Sequence, residues 1–163
     1  MNGNMNIRVE KGTMAFLEDC KDALIHSELG RQYFSGGKGA EEAILEGLER
    51  DGLYVALLND TCVGFMYYIP QGAFHAFSYL HLIAIKEDFR GLGIGSMLIK
   101  HLEKLVFENN GKVFLVVADF NPRGKKFYET LGYSKVGEIP SLYREGITEH
   151  LMMKAKRCGK NDT

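Results

Sequence analysis

The chain has 163 residues, and its 19 glycines are roughly 12% of it, against about 7% in an average chain; they lack the every-third-residue period of collagen. At 45% hydrophobic and 25% charged, it has enough apolar surface to offset the entropy of ordering, which excludes disorder, and the length suits a single domain. A formal net charge of −1 supplies no global field for nucleic acid or an anionic membrane, although a local anion site is compatible with it.

Cys20, Cys62 and Cys158 are odd in number and widely spaced. They suggest neither a metal-ligand pair nor a disulfide framework, and point to a reduced, cytoplasmic protein. The first ten residues lack the apolar core of a signal peptide. No apolar run approaches the ~20 residues of a membrane span.

In chain order, residues 7–10 alternate as a short strand. Residues 13–27 carry Met14, Leu17, Ala23 and Leu24 at helical spacing, with Thr13 as N-cap and no capping box, because Phe16 stands at N3. A glycine-rich connection spans 30–39. Residues 41–50 form a second helix with Ile44, Leu45 and Leu48 on one face, stopped at Gly52. Strands at 53–58 and 62–69, joined by Asn59-Asp60, make an antiparallel hairpin that Pro70 ends. Residues 78–85 are nearly continuous in apolar side chains, as in a central strand buried on both faces.

Residues 91–108 give the longest helical pattern, with Ile94, Met97, Leu98, Leu102, Leu105 and Val106 on the apolar face and Asn109-Asn110-Gly111 as the stop. Residues 113–118 form the next buried strand, which makes a parallel crossover unit. Asn121 caps a short helix, with Pro122 in its first turn and Gly132 at its end. Strands at 133–139 and 149–155 follow, then a frayed tail. The order is β α α β β β α β α β β: an α/β chain of the α+β, mixed-sheet kind. It reads as one domain over 1–163, with its core at about 5–155 and a tail at 156–163.

Gly91, Gly93 and Gly95 lie between the buried strand and the long helix. A helix N-terminus offers unpaired N–H groups and the positive end of its dipole, and glycine lets an anion reach them without meeting a Cβ. That makes a phosphate site, with Arg90 as a further donor. A plain tight strand–helix turn is the alternative. A dinucleotide fingerprint fails because Ser96 stands where the third glycine belongs, and a nucleoside triphosphate loop fails because Gly-Lys-[Ser/Thr] is absent. The cluster at 36–39, Gly-Gly-Lys-Gly, misses that motif too and reads as a mobile loop, with Lys38 free to touch a substrate.

Arg90-Gly91-Leu92-Gly93-Ile94-Gly95 fits the pattern Arg/Gln-x-x-Gly-x-Gly/Ala after a strand and before an amphipathic helix. It resembles the coenzyme A pyrophosphate loop of the GCN5-related N-acetyltransferase superfamily. Asn121, then Phe127-Tyr128-Glu129, then Leu131-Gly132-Tyr133 resembles the downstream Asn…Tyr-Glu-x-x-Gly-Phe segment of that family, and the element order agrees. The resemblance covers roughly residues 5–155. It implies an acetyl-CoA-dependent N-acetyltransferase that moves an acetyl group to a primary amine of a small molecule or peptide, by direct attack through a tetrahedral intermediate. Cysteine spacing, charge balance and the lack of a span-length apolar run lead to no metal, nucleic acid or membrane being expected, and the resemblance makes homodimers through the last strands an expectation.

By resemblance, the backbone of Ile83, Ala84 and Ile85 holds the pantetheine arm, and Arg90, Gly91, Leu92, Gly93, Ile94, Gly95 and Ser96 hold the pyrophosphate. Asn121 and Tyr128 lie near the thioester, with Tyr128 as proton donor to the leaving thiolate; packing on a short helix is the other role open to it. An amine with a pKa of about 10.4 must lose a proton before it attacks, which calls for a base, a water chain or desolvation.

His81 sits in the apolar strand, and a period of two puts it on one face with Tyr79, Ile83 and Ile85. The strand resembles that of arylalkylamine N-acetyltransferases, some of which place histidines there for proton relay. His81 is therefore a candidate base, with core packing as the alternative and His75 and Glu87 as weaker candidates. The acceptor pocket is expected from Glu28, Arg31, Tyr33 and Phe34, together with Tyr79, Tyr143 and Arg144, though each loop residue could equally be solvated. Two rival readings stay open: a non-catalytic acyl-CoA-binding or regulatory module, and a transferase with another acyl donor.

Overall fold

The structure, a computed structural model, describes residues 5–35, 37–108 and 111–157. It is a mixed α/β domain built on one seven-stranded sheet of order β1-β2-β3-β4-β5-β7-β6. The strands are β1 (Ile7–Lys11), β2 (Leu53–Leu58), β3 (Thr61–Ala73), β4 (Phe77–Ile85), β5 (Lys112–Ala118), β6 (Ser134–Pro140) and β7 (Thr148–Ala155). All neighbours run antiparallel except β4 and β5.

The helices are α1 (Leu17–Ile25), α2 (Glu28–Tyr33), α3 (Lys38–Glu49), α4 (Ile94–Val106) and α5 (Pro122–Thr130). Two cores cover the sheet. One gathers Leu98 and Leu102 of α4 with Val63, Met66, Val113 and Met152. The other gathers Cys20 and Leu24 of α1 and Ile44 of α3 with Phe65, Tyr67 and Leu82. Alternation along β3 feeds both, since successive side chains point to opposite faces.

Local chemistry explains most of the boundaries. Asn59 and Asp60 take φ +48° and +71°, the two positive values of a type I′ hairpin turn. Asn121 Oδ1 accepts from Gly124 N at 3.0 Å, with Pro122 in the first turn of α5. At the other end Gly132 N donates to Glu129 O and Tyr133 N to Tyr128 O, the paired bonds of a Schellman stop.

Several expectations change. Three helices, not two, precede β2. Ser27 caps α2 through its side chain, accepting from Gly30 N at 3.0 Å and donating to Leu24 O at 2.6 Å. Gly30, which read as the start of a connection, is buried where a Cβ would stand 1.7 Å from Leu24 O, so only glycine lets α2 lie this close to α1. The segment expected to be a mobile loop opens α3: Gly37 is its N-cap and Lys38 its first residue, while Gly36 lies outside the described residues. Thr13 precedes a short 3-10 turn without a side-chain cap bond.

Strand β3 continues past Pro70 to Ala73 because the ladder to β4 is irregular between Ile69 and Ala73, where proline forfeits no bond. Pro70 O accepts from Ser78 Oγ at 3.2 Å instead. The glycine triplet mostly precedes α4, which starts at Ile94. Asn109, Asn110 and Cys158, together with the tail from 158, lie outside the described residues.

Candidate active site

Strands β4 and β5 pair only at Ser78 with Val113 and at Tyr79 with Phe114. Beyond these two rungs they diverge, and the gap opens a cleft of about 840 Å³, a size typical of small-molecule and cofactor sites.

One end is made of backbone. Gly91 and Gly93 have φ of +77° and +80°, and nothing lies within 4 Å of where a Cβ would stand on either. Conformation, not crowding, requires glycine at both positions, and it leaves the space over the α4 N-terminus open. No side chain caps α4 and its first turn holds no acid, so its free amides and positive dipole end are unneutralised. Gly95 has a different reason: a Cβ there would meet the Phe127 ring at 3.2 Å, so it sets the approach of α5.

Gly91, Gly93, Ile94, Gly95 and Ser96 line the cleft, whereas Leu92 does not and is 41% exposed. Arg90 lines it too, but its guanidinium is partly engaged. Nε donates to Ile85 O at 3.2 Å and Nη2 to His26 O at 2.8 Å, which braces the glycine loop against the end of α1.

Ile83, Ala84 and Ile85 line the middle of the cleft along the side of β4 that has lost its partner, with Asn121 and Tyr128 across from them. Tyr128 is 8% exposed and meets Phe127 and Tyr133 edge-on at centroid distances of 5.2 and 5.9 Å. Desolvation alone pushes its phenol well above the usual range, so it keeps its proton at neutral pH. Asn121 spends its side-chain oxygen on the cap of α5, the helix that carries Tyr128.

The structure corrects the face assigned to His81. Tyr67 pairs with Leu82 and Tyr68 with Leu80, so His81 is the extra residue of a β-bulge. The bulge breaks the period of two. Leu80, Ile83 and Ile85 pack on the α4 side, and Leu82 and Ala84 on the α1 and α3 side. His81 goes with the second group, its ring 5.5 Å from Tyr67 and 5.9 Å from Tyr79. It still lines the cleft. Burial lowers its pKa from the ordinary value, against a small raising effect of Glu46, so the imidazole is neutral at pH 7.

The other end of the cleft is made of side chains. Tyr33, Phe34, Tyr79, Tyr143 and Arg144 all line it. Tyr33 lies 5.8 Å from both Phe120 and Tyr143, and the Tyr79 and Tyr143 hydroxyls are 3.0 Å apart. Glu28 and Arg31 do not line it; they pair with each other at 3.3 Å on the exposed side of α2. Lys38, His75 and Glu87 are exposed and also lie outside it. No group of three potential metal ligands occurs among the described residues, and none of their helices is long and apolar enough to cross a membrane.

The sequence reading missed Glu149. It is 2% exposed, lines the cleft and accepts from Tyr33 Oη at 2.6 Å. At the head of a strand a glutamate reads as solvated, and only its pairing opposite Ala118 brings it inward.

Residues 22–133 match the family model described as the Acetyltransferase (GNAT) family. An uncharacterized N-acetyltransferase of Methanocaldococcus jannaschii is 34% identical over 110 residues, 66% of this chain and 68% of that one. A GNAT-family acetyltransferase of Bacillus cereus superposes with a TM-score of 0.78 at 18% identity, over 94% of this chain and 99% of that one. Arabidopsis thaliana Naa50, solved with the bisubstrate analogue CoA-Ac-MVNAL, gives 0.71 at 20% identity over 91% and 98%. With its split sheet and its glycine loop at the head of α4, the chain belongs to the GNAT acetyltransferase family.

Proposed function

We propose that the protein transfers the acetyl group of acetyl-CoA to a primary amine by direct attack, with no covalent enzyme intermediate. The observation that carries this reading is one cleft that joins an uncapped helix N-terminus, opened by two left-handed glycines, to a buried, protonated tyrosine. The residues suit the cofactor. The space above Gly91 and Gly93 would be filled by any other side chain, and the α4 amides fit a pyrophosphate. The unpaired side of β4 at Ile83–Ile85 fits an extended, amide-bearing arm. Acetyl-CoA supplies the activated thioester there.

The chain's own groups carry the protons. His81, neutral in its pocket, takes a proton from the amine, directly or through water. Tyr128 delivers its proton to the departing thiolate, whose pKa near 8.5 makes a donor worthwhile. A β4 N–H beside the bulge can donate to the developing oxyanion. Two buried free thiols, Cys20 and Cys62, support a reducing, cytoplasmic setting.

The test follows free thiol released from acetyl-CoA across amines of differing size and charge. Amine-dependent release sustains the reading. Binding of acetyl-CoA without release for any amine would leave a non-catalytic module, and faster release from a longer acyl-CoA would reassign the donor.

A further inference from the structure

Glu149 is a carboxylate at 2% exposure with no salt bridge among the described residues. Its one protein hydrogen bond among the described residues comes from Tyr33 Oη. Arg144, which also lines the cleft, stacks on the Tyr33 ring at 5.4 Å and forms no salt bridge with Glu149. Burial raises its carboxyl pKa; the Tyr33 bond only partly offsets this, and the smaller effects of Asp119, which raises it, and His150, which lowers it, oppose each other. A buried carboxylate without a counter-ion is costly, and such groups are normally paired. The walls around it are aromatic: Tyr33 meets both Tyr143 and Phe120 ring to ring, and Tyr79 joins them through the Tyr143 hydroxyl. Ring faces attract cations, most strongly where water is excluded.

We infer that Glu149, walled by Tyr33, Tyr79 and Tyr143, is a cation-recognition site that selects alkylammonium acceptors and rejects acidic ones. The inference rests on the proposed amine acetylation and deepens it by naming the acceptor class. Glu149 acts on binding; the proton taken from the amine goes to His81. The ammonium replaces the missing counter-ion, and the rings cover its methylenes. An acceptor with a carboxylate beside the amine meets repulsion from Glu149 in a low-dielectric setting.

The site is tested apart from catalysis with n-butyltrimethylammonium, a cation that cannot be acetylated, read by calorimetry. The wild-type protein is expected to bind it and to ignore n-valerate. Glu149→Gln retains an acceptor for Tyr33 and removes only the charge. It is expected to weaken the cation at least tenfold and leave acetyl-CoA affinity unchanged. With n-butylamine as acceptor, KM rises by a similar factor and kcat changes less than threefold. Equal cation binding by the wild type and E149Q overturns the inference, and so does a collapse of kcat at constant KM, which would make Glu149 the base. If the cation binds as expected but no amine is acetylated, the recognition site stands and the transferase reading fails.

Discussion

The two ends of the cleft are built by opposite means. The glycine end is contiguous and made of backbone: residues 90–96 present amides and a dipole, and side chains matter there mainly by being absent. The aromatic end is assembled from Tyr33, Tyr79, Tyr143 and Glu149, and its central hydrogen bond joins residues 116 apart in sequence. A backbone site suits a ligand part that never varies, whereas a side-chain site can be retuned by single substitutions without disturbing the helix or the sheet.

The largest effect is expected at the backbone end. Gly93→Glu adds a carboxylate at the positive helix end and forces a side chain into φ +80°. Acetyl-CoA affinity should fall by about two orders of magnitude, close to 2.7 kcal/mol. Titration calorimetry measures it, with circular dichroism to verify the fold; near-normal affinity would remove the pyrophosphate from this loop.

Tyr128→Phe leaves both ends intact and removes one hydroxyl between them. General acid–base groups typically contribute about 10²–10⁴-fold, so kcat should drop at least tenfold while acetyl-CoA binding holds. An unchanged kcat excludes Tyr128 as the proton donor.

His81 gives a pH signature. Its lowered pKa leaves it neutral at pH 7, and protonation on acidification removes its ability to accept a proton. The rate therefore falls as pH drops through a value below the ordinary 6.5 of histidine. Comparing kcat–pH profiles of the wild type and His81→Ala isolates this limb from amine ionisation. A limb that survives in the variant assigns it elsewhere.

Smaller effects complete the contrast. Asn121→Ala removes the α5 cap and should cost about 1 kcal/mol, read as a shift in denaturant midpoint. Glu28→Gln and Arg31→Gln lie outside the cleft and should change amine KM less than twofold; a larger change would move the acceptor onto α2.

The same contrast explains how much of the site is legible in the sequence. The glycine loop, the Asn121 cap and the Gly132 stop each lie within a few consecutive residues, so local rules reach them. The side-chain end was legible only in part: Tyr33, Phe34, Tyr79, Tyr143 and Arg144 line the cleft as expected, Glu28 and Arg31 do not, and the face of His81 depends on register. One inserted residue at His81 exchanges faces along β4, and no local pattern signals it. Helix α2 escaped because Gly30, a helix breaker by propensity, is there for close approach to Leu24. Glu149 escaped because burial is a property of neighbours, not of a glutamate in a polar strand start.

The two rungs between β4 and β5 have a mechanical consequence. The sheet is in effect two blades, β1 to β4 and β5 to β7, joined by a short hinge at Ser78 and Tyr79. A strand at the centre of the sheet thus carries an unzipped margin, and its amides facing the gap should exchange with solvent like those of an edge strand. An extended molecule laid along that margin would act as a further strand. It would couple the blades, slow exchange at residues 80–85, and turn ligand occupancy into stiffness of the whole sheet.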